Sequence, residues 1–212
     1  MFKILLVAFL FVQPTTPLPE FQASVRLNYP YASSGTVFKV TPNDKGYTSY
    51  ILSTGHMKKR EDPQIEFFFM DGEKLEKPFI VKGNIIFLVE NSFKGCDFSV
   101  IEVTTKNKPA FIPLAKKDAK EKDKCLSIGC DLATVPKCYS CTVLNLGKHD
   151  YILENDSPKA GRSGGGLFLN HEIVGVCWGC ATWGNKEVNG LFTRASVVRN
   201  LLTAAGYEHL LE

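Results

Sequence analysis

Ser163 stands in "GRSGGGLF", between Gly161 and the run Gly164 to Gly166, and the chain then returns to apolar alternation in "LFLNHEIVGVCWG". A hydroxyl in such a turn suits nucleophilic chemistry, because glycines let a reacting group approach backbone amides without side-chain clash. Serine is a weak nucleophile by itself and needs a base, which in turn needs an orienting group. The motif G-x-S-x-G would place both downstream, acid before histidine, with a helix directly after the serine. Here a hairpin pattern follows instead, and no Asp occurs after Ser163. A phosphate-binding loop fails as well, since no G-K-[ST] follows and no helix opens there.

The other known order has histidine first, acid second and serine third. "SYILSTGHMKK" sets His56 at the end of an apolar strand, and "FKGCDFSVIEV" starts another with Asp97. Each residue alone has a plainer reading: His56 as a rim histidine with one hydrogen bond, Asp97 as a turn residue, Ser163 as part of a flexible loop. In that order, and each at a strand boundary, they form a candidate triad. His149, His171 and His209 read as turn or surface residues, and Asp150 and Asp156 are rival acids near the serine.

The elements that must hold these residues are strands. From Ala23 to Leu114 come "SGTVFKV", "YTSYILST", "QIEFFFM", "NIIFLVE" and "DFSVIEV", separated by turn-rich pieces such as "TPNDKG". Short β-branched and aromatic runs between turn signals predict successive antiparallel strands. "AKKDAKEKDK", Ala115 to Lys124, is charged and reads as a solvated connection, with a short exposed helix as the alternative. Strand-length runs then resume, so two β-rich halves are expected to pack as barrels or sandwiches. Only "ASVVRNLLTAAG" reads as a helix, over 196–205, with Ser196 as cap, Val197, Val198, Leu201 and Leu202 as apolar stripe and Gly206 as stop.

Composition bounds the rest. With 25 basic and 22 acidic residues in 212, the net charge of +3 gives no reason to expect nucleic acid as a partner. Lys3, the apolar run Ile4 to Val12 and a Pro/Thr-rich exit predict a signal peptide over residues 1–20, and hence a secreted or periplasmic protein. A buried first strand is the alternative, and no segment is long enough for a stable membrane span. Seven cysteines suit an exported protein but leave an odd thiol. The pairs Cys138/Cys141 and Cys177/Cys180 have the spacing of zinc knuckles, or of structural thiols or disulfides in a β-rich fold.

From about Ala32 to Leu202 the chain resembles the trypsin-like, chymotrypsin-fold serine peptidases, including their bacterial HtrA-like relatives. "SSGTVFKV" looks like the first barrel strand, "ILSTGHM" is similar to T-A-[AG]-H, and "CDFSVIEV" to the block around the acid. "CLSIG" resembles the opening of the second barrel, "GRSGGGLF" resembles G-[DN]-S-G-G-P-L, "IVGVCWG" the substrate-binding strand, and "NGLFTRAS" the last strand before a terminal helix. The resemblance implies an all-β fold of two six-stranded antiparallel Greek-key barrels with a C-terminal helix. Residues 21–115 would carry His56 and Asp97, 116–124 the connection, and 125–212 Ser163 and the helix. Nothing in the remaining length would hold an appended PDZ-type domain.

What the family does implies a serine endopeptidase that hydrolyses peptide bonds through an acyl-enzyme, with a protein or peptide substrate, no cofactor and no metal. His56 would act as base and then acid, and Asp97 would fix its tautomer. The amides of Gly161 and Ser163 would form the oxyanion hole, a contribution of about 3 kcal/mol per donor. Ser157, Cys177, Trp178, Gly179 and Gly190 would line the substrate site, with Ser157 at the pocket floor. A shift of one residue would put Asp156 there and favour a basic side chain over an apolar one. An inactive binding module of the same fold, an esterase with the same triad and a zinc-stabilised structural protein are the rival readings. The sequence specifies no oligomeric state.

The chain also departs from the family pattern. Arg162 stands where activatable members carry an aspartate that pairs with a freed N-terminus, so activity is expected not to depend on such a pair. Gly166 replaces a usual proline, no cysteine lies in the "SGGGLF" block, and Cys177 occupies a position that often bears a small hydroxyl residue. For Cys177 the expected role is buried packing.

Overall fold

The "QIEFFFM" and "DFSVIEV" segments place Ile65, Phe67, Ile101 and Val103 two residues apart, and alternate residues of a strand share a face. All four are buried in one apolar cluster with Val25, Leu27, Val37 and Ile51. In the computed structural model, which describes residues 18–28, 32–56, 63–71, 74–91, 94–183 and 186–212, this cluster fills the first sheet. Its strands are β1 (Ser24–Asn28), β2 (Ser33–Asn43), β3 (Gly46–Ser53), β4 (Gln64–Phe67), β7 (Phe79–Lys82), β8 (Asn84–Asn91) and β9 (Cys96–Thr105), and β5 (Met70–Asp71) pairs separately with β6 (Lys74–Leu75). Cross-strand chemistry supports the register: Arg26 lies opposite Glu66 and forms an ion pair with it at 2.5 Å.

Among the described residues the first sheet has seven strands in the order β7-β4-β1-β2-β3-β9-β8, one more than expected and without a closing ladder. The physical reason is Gly83, the single residue between β7 and β8. A Cβ there would lie 2.6 Å from Ile101 Cγ2 and 3.0 Å from Val103 Cγ1, so only glycine lets the chain bend against the core. Counted as one bent strand, β7 and β8 bring the number to six, and covalent continuity through Gly83 completes the circle.

The second half is a closed barrel, β10-β11-β12-β15-β14-β13. Its strands are β10 (Lys124–Gly129), β11 (Lys137–Leu146), β12 (Asp150–Glu154), β13 (Gly166–Leu169), β14 (Glu172–Trp183) and β15 (Lys186–Arg194). The fold is therefore all-β with two barrels, ending in the helix α2 (Ala195–Ala204), which starts one residue before the expected boundary. Val198 and Leu202 are buried beneath it, and Gly206 follows at φ +82°.

Ser196 does not cap that helix. Arg194 holds the cap position, and the Ser196 amide and hydroxyl both donate to Asp118, at 2.9 and 2.6 Å. An acid at a helix N-terminus satisfies open amides and complements the dipole. The charged connection is thus docked, and it forms no helix: Ala115 and Ala119 are buried, and the Ala119 amide donates to the Tyr151 hydroxyl at 2.9 Å.

Residues 1–17 of the expected signal peptide lie outside the described residues. Next to them the single turn α1 (Pro19–Gln22) buries Glu20, whose carboxylate lies 2.7 Å from His171 Nδ1. Among the described residues no helix is long and apolar enough to cross a membrane. No disulfide forms among them, and the CxxC pairs are not knuckles. The first pair lies in a regular part of β11, where residues i and i+3 face opposite sides, with Cys138 exposed and Cys141 buried; the second spans a bulge of β14 between Cys177 and Gly179, with Cys177 buried and Cys180 half-buried.

Candidate active site

β3 and β9 are antiparallel neighbours with Ser53 opposite Ser99, so the chain leaving β3 passes over the start of β9. That register brings His56 onto Asp97, with His56 Nδ1 at 3.2 Å from each carboxylate oxygen. Asp97 is fully buried while the His56 side chain is 36% exposed, so the acid lies behind the imidazole and the ring is open to solvent. Donors offset the desolvation of the carboxylate: Oδ1 accepts from the Gly55 amide at 2.6 Å, the His56 amide at 3.2 Å and the Thr54 hydroxyl at 2.6 Å. From the second barrel, the Thr193 hydroxyl accepts from the Asp97 amide at 3.1 Å and donates to the Gly95 carbonyl at 3.0 Å.

Thr54 was not singled out by its sequence context. Its Oγ1 lies 2.7 Å from His56 Nδ1 as well as 2.6 Å from Asp97 Oδ1. Having one proton, the hydroxyl gives it to the carboxylate and offers a lone pair to Nδ1–H. It supplies a hydroxyl beside the acid, which position 177 lacks. Cys177 is fully buried, and that burial pushes its thiol above the usual range, in keeping with a packing role.

Ser163 lies in the turn between β12 and β13. Hydrogen bonds from the Arg162 amide to Lys159 O and from the Gly165 amide to Arg162 O, both 2.9 Å, shape it. The pairs Gly164 N to Cys177 O (2.7 Å) and Cys177 N to Gly165 O (2.8 Å) zip it to β14. Gly161 and Gly164 hold φ of +94° and +88°, the left-handed region that favours glycine. A Cβ on Gly164 would also lie 2.1 Å from Ser34 O and 2.9 Å from Thr54 N, so the serine turn abuts the strand end that carries His56.

A second residue without a sequence signal is Ser34. Its amide donates to Ser163 O at 2.8 Å, its hydroxyl donates to Gly161 O at 2.7 Å and accepts from the Cys130 amide at 2.7 Å. The neighbouring carbonyls fix the peptide planes. Ala160 O accepts from Leu132 N at 2.6 Å, Arg162 O accepts from Gly165 N, and in a trans peptide the N–H points the opposite way. The Gly161 and Ser163 amides therefore face away from those contacts, and among the described residues neither meets an acceptor.

The remaining expected substrate residues divide. Trp178 and Gly179 are half-buried on β14, and nothing lies within 4 Å of a Cβ built on Gly179. Ser157 is half-buried, whereas Asp156 is buried, with an oxygen 3.0 Å from the Cβ position of Gly190. Asp156 Oδ1 is 3.5 Å from Arg162 Nη1, and burial raises its carboxyl above the usual range although Arg162 pulls the other way.

No protein-family model matches the sequence, and no curated protein matches it. Solved structures do match. The MamO protease domain from Magnetospirillum magneticum, in its apo form, superposes with a TM-score of 0.67 at 16% identity, over 87% of this chain and 98% of that one. Rv3671c from M. tuberculosis, in an inactive form, gives 0.65 at 15% identity over 88% of both chains. The serine endoprotease from Yersinia pestis gives 0.64 at 18% identity over 90% of this chain and 63% of that one. The chain has the chymotrypsin-like fold of the trypsin-like serine proteases. At such identities the likeness is one of fold.

Proposed function

We propose that the protein is a serine endopeptidase in which His56, Asp97 and Ser163 act as a triad. One observation carries this reading: His56, backed by a fully buried Asp97, stands at the strand end against which the Ser163 turn packs. Ser163 Oγ would attack the scissile carbonyl as His56 Nε2 takes its proton, and the anionic oxygen would face the Gly161 and Ser163 amides. His56 then returns the proton to the leaving amine, and water repeats the sequence on the acyl-enzyme. Asp97 holds the imidazole tautomer, with the Thr54 hydroxyl between them.

A substrate side chain received beside Trp178 and Gly179 would be an uncharged one. Asp156 sits behind Gly190 next to Arg162, so it presents no separate anion to a basic residue. Action outside the cytosol belongs to this proposal on the strength of the N-terminal sequence pattern alone.

An organofluorophosphonate tests the reading directly. Wild-type protein should be labelled and Ser163→Ala should not; a folded wild type that resists labelling sinks the triad. Cleavage of a peptide library against a panel of esters then separates endopeptidase from esterase.

A further inference from the structure

Arg162 is among the largest fully buried side chains, at 1% exposure. A guanidinium in that position requires compensation on every side. Its Nε and Nη2 donate to Asp131 Oδ1 and Oδ2 at 3.0 and 2.7 Å, a two-pronged contact. Nη1 donates to Ser127 Oγ at 2.9 Å, and the guanidinium carbon stands 4.1 Å from the centre of the Tyr139 ring. The Tyr139 hydroxyl in turn donates to Asp131 Oδ2 at 2.8 Å.

The same acid also grips the backbone of the serine turn. The Lys159 amide donates to Asp131 Oδ1 at 3.0 Å, and Leu132, the next residue, donates its amide to Ala160 O. The short turn Asp131–Ala133 therefore holds the segment at Lys159, at Ala160 and at the Arg162 side chain. Those contacts flank both Gly161 and Ser163. Apolar residues could fill such a site at equal or better stability, so what a fork-shaped ion pair adds here is a fixed geometry.

We propose that Arg162 and Asp131 are positioning residues for the oxyanion-binding amides. The pair holds the Gly161 and Ser163 peptides in their open orientation from within the chain, so the site forms on folding and needs neither a freed N-terminal amine nor a ligand to build it. The oxyanion role rests on the peptidase reading above; the claim that the pair sets the loop does not.

The test uses the full chain with Asp131→Asn, and with the apolar double variant Arg162→Met/Asp131→Leu, whose fold is expected to survive because the one buried acid that loses its cation, Asp156, is already raised by burial and can take up a proton. Hydrogen–deuterium exchange across 159–166, fluorophosphonate labelling rate, and kcat and KM are measured for each. In both variants exchange of that segment should rise at least tenfold, labelling should slow roughly 100-fold as for loss of an oxyanion donor, and KM should stay near wild type. A double variant that folds, keeps wild-type exchange in 159–166 and labels at the wild-type rate overturns the proposal. If wild-type protein does not label at all, the peptidase reading fails, while the exchange data still decide whether the pair holds the loop.

Discussion

Ser34 and Gly161 lie 127 residues apart in sequence and in different barrels, yet the Ser34 hydroxyl donates to the Gly161 carbonyl at 2.7 Å. The same hydroxyl accepts from the Cys130 amide, and the Ser34 backbone bonds Ser163 and Ser53. One small residue of β2 therefore joins the strand leading to His56 to the turn carrying Ser163.

Ser34→Ala should release that turn without disturbing either barrel core. A buried amide and a buried carbonyl lose their partner, which costs about 1–3 kcal/mol of stability. Turnover should fall roughly 10- to 100-fold, since small misplacements of reacting groups are costly. Urea denaturation together with labelling kinetics checks both effects, and an unchanged labelling rate would remove Ser34 from the positioning scheme.

Thr54→Val removes the hydroxyl between His56 and Asp97 while keeping the side-chain shape. kcat is expected to fall about tenfold, the size of one charge-assisted hydrogen bond, with KM unchanged and with Thr54→Ser restoring most of the loss. Steady-state kinetics on a peptide substrate decides; equal kcat in wild type and Thr54→Val would show that the Asp97 contact alone orients the ring.

Asp118 supplies the pH-dependent prediction. Burial would raise its carboxyl, but the Ser196 hydrogen bonds and Arg194 outweigh burial and hold it below the usual range. A lowered folded-state value contributes stability that is present above the unfolded value near 4 and is lost as pH falls through the folded value. Asp118→Asn should therefore cost about 1–3 kcal/mol at pH 7, with the gap to wild type closing progressively below about pH 4. Denaturation midpoints at pH 7, 5 and 3 test this, and a gap that stays constant down to pH 3 contradicts it.

The strands and the order of the candidate triad were legible because both are local properties. Alternation in "QIEFFFM" and "DFSVIEV" specifies which residues face inward, and a glycine run specifies a turn that admits φ near +90° at Gly161 and Gly164. The CxxC spacing left knuckles and structural thiols both open, for a local reason too. It implies a knuckle only where the chain turns, and both pairs lie within strands, β11 and β14, the second of them bulged between Cys177 and Gly179. Ser196 met the rule for a cap, yet Asp118 from the connection reached the helix start and took that role.

By itself the sequence determined two β-rich halves, the terminal helix and the order of His56, Asp97 and Ser163 at strand boundaries, since periodicity and turn chemistry are written in neighbouring residues; that the halves are barrels was only implied by the family resemblance. Only the tertiary structure decided that Gly83 bends one strand into two, that Ser34 joins the barrels and that Arg162 finds Asp131, 31 residues earlier. Those contacts depend on register and closure of the sheets, which bring distant polar groups together in buried positions where an unmatched partner would be costly.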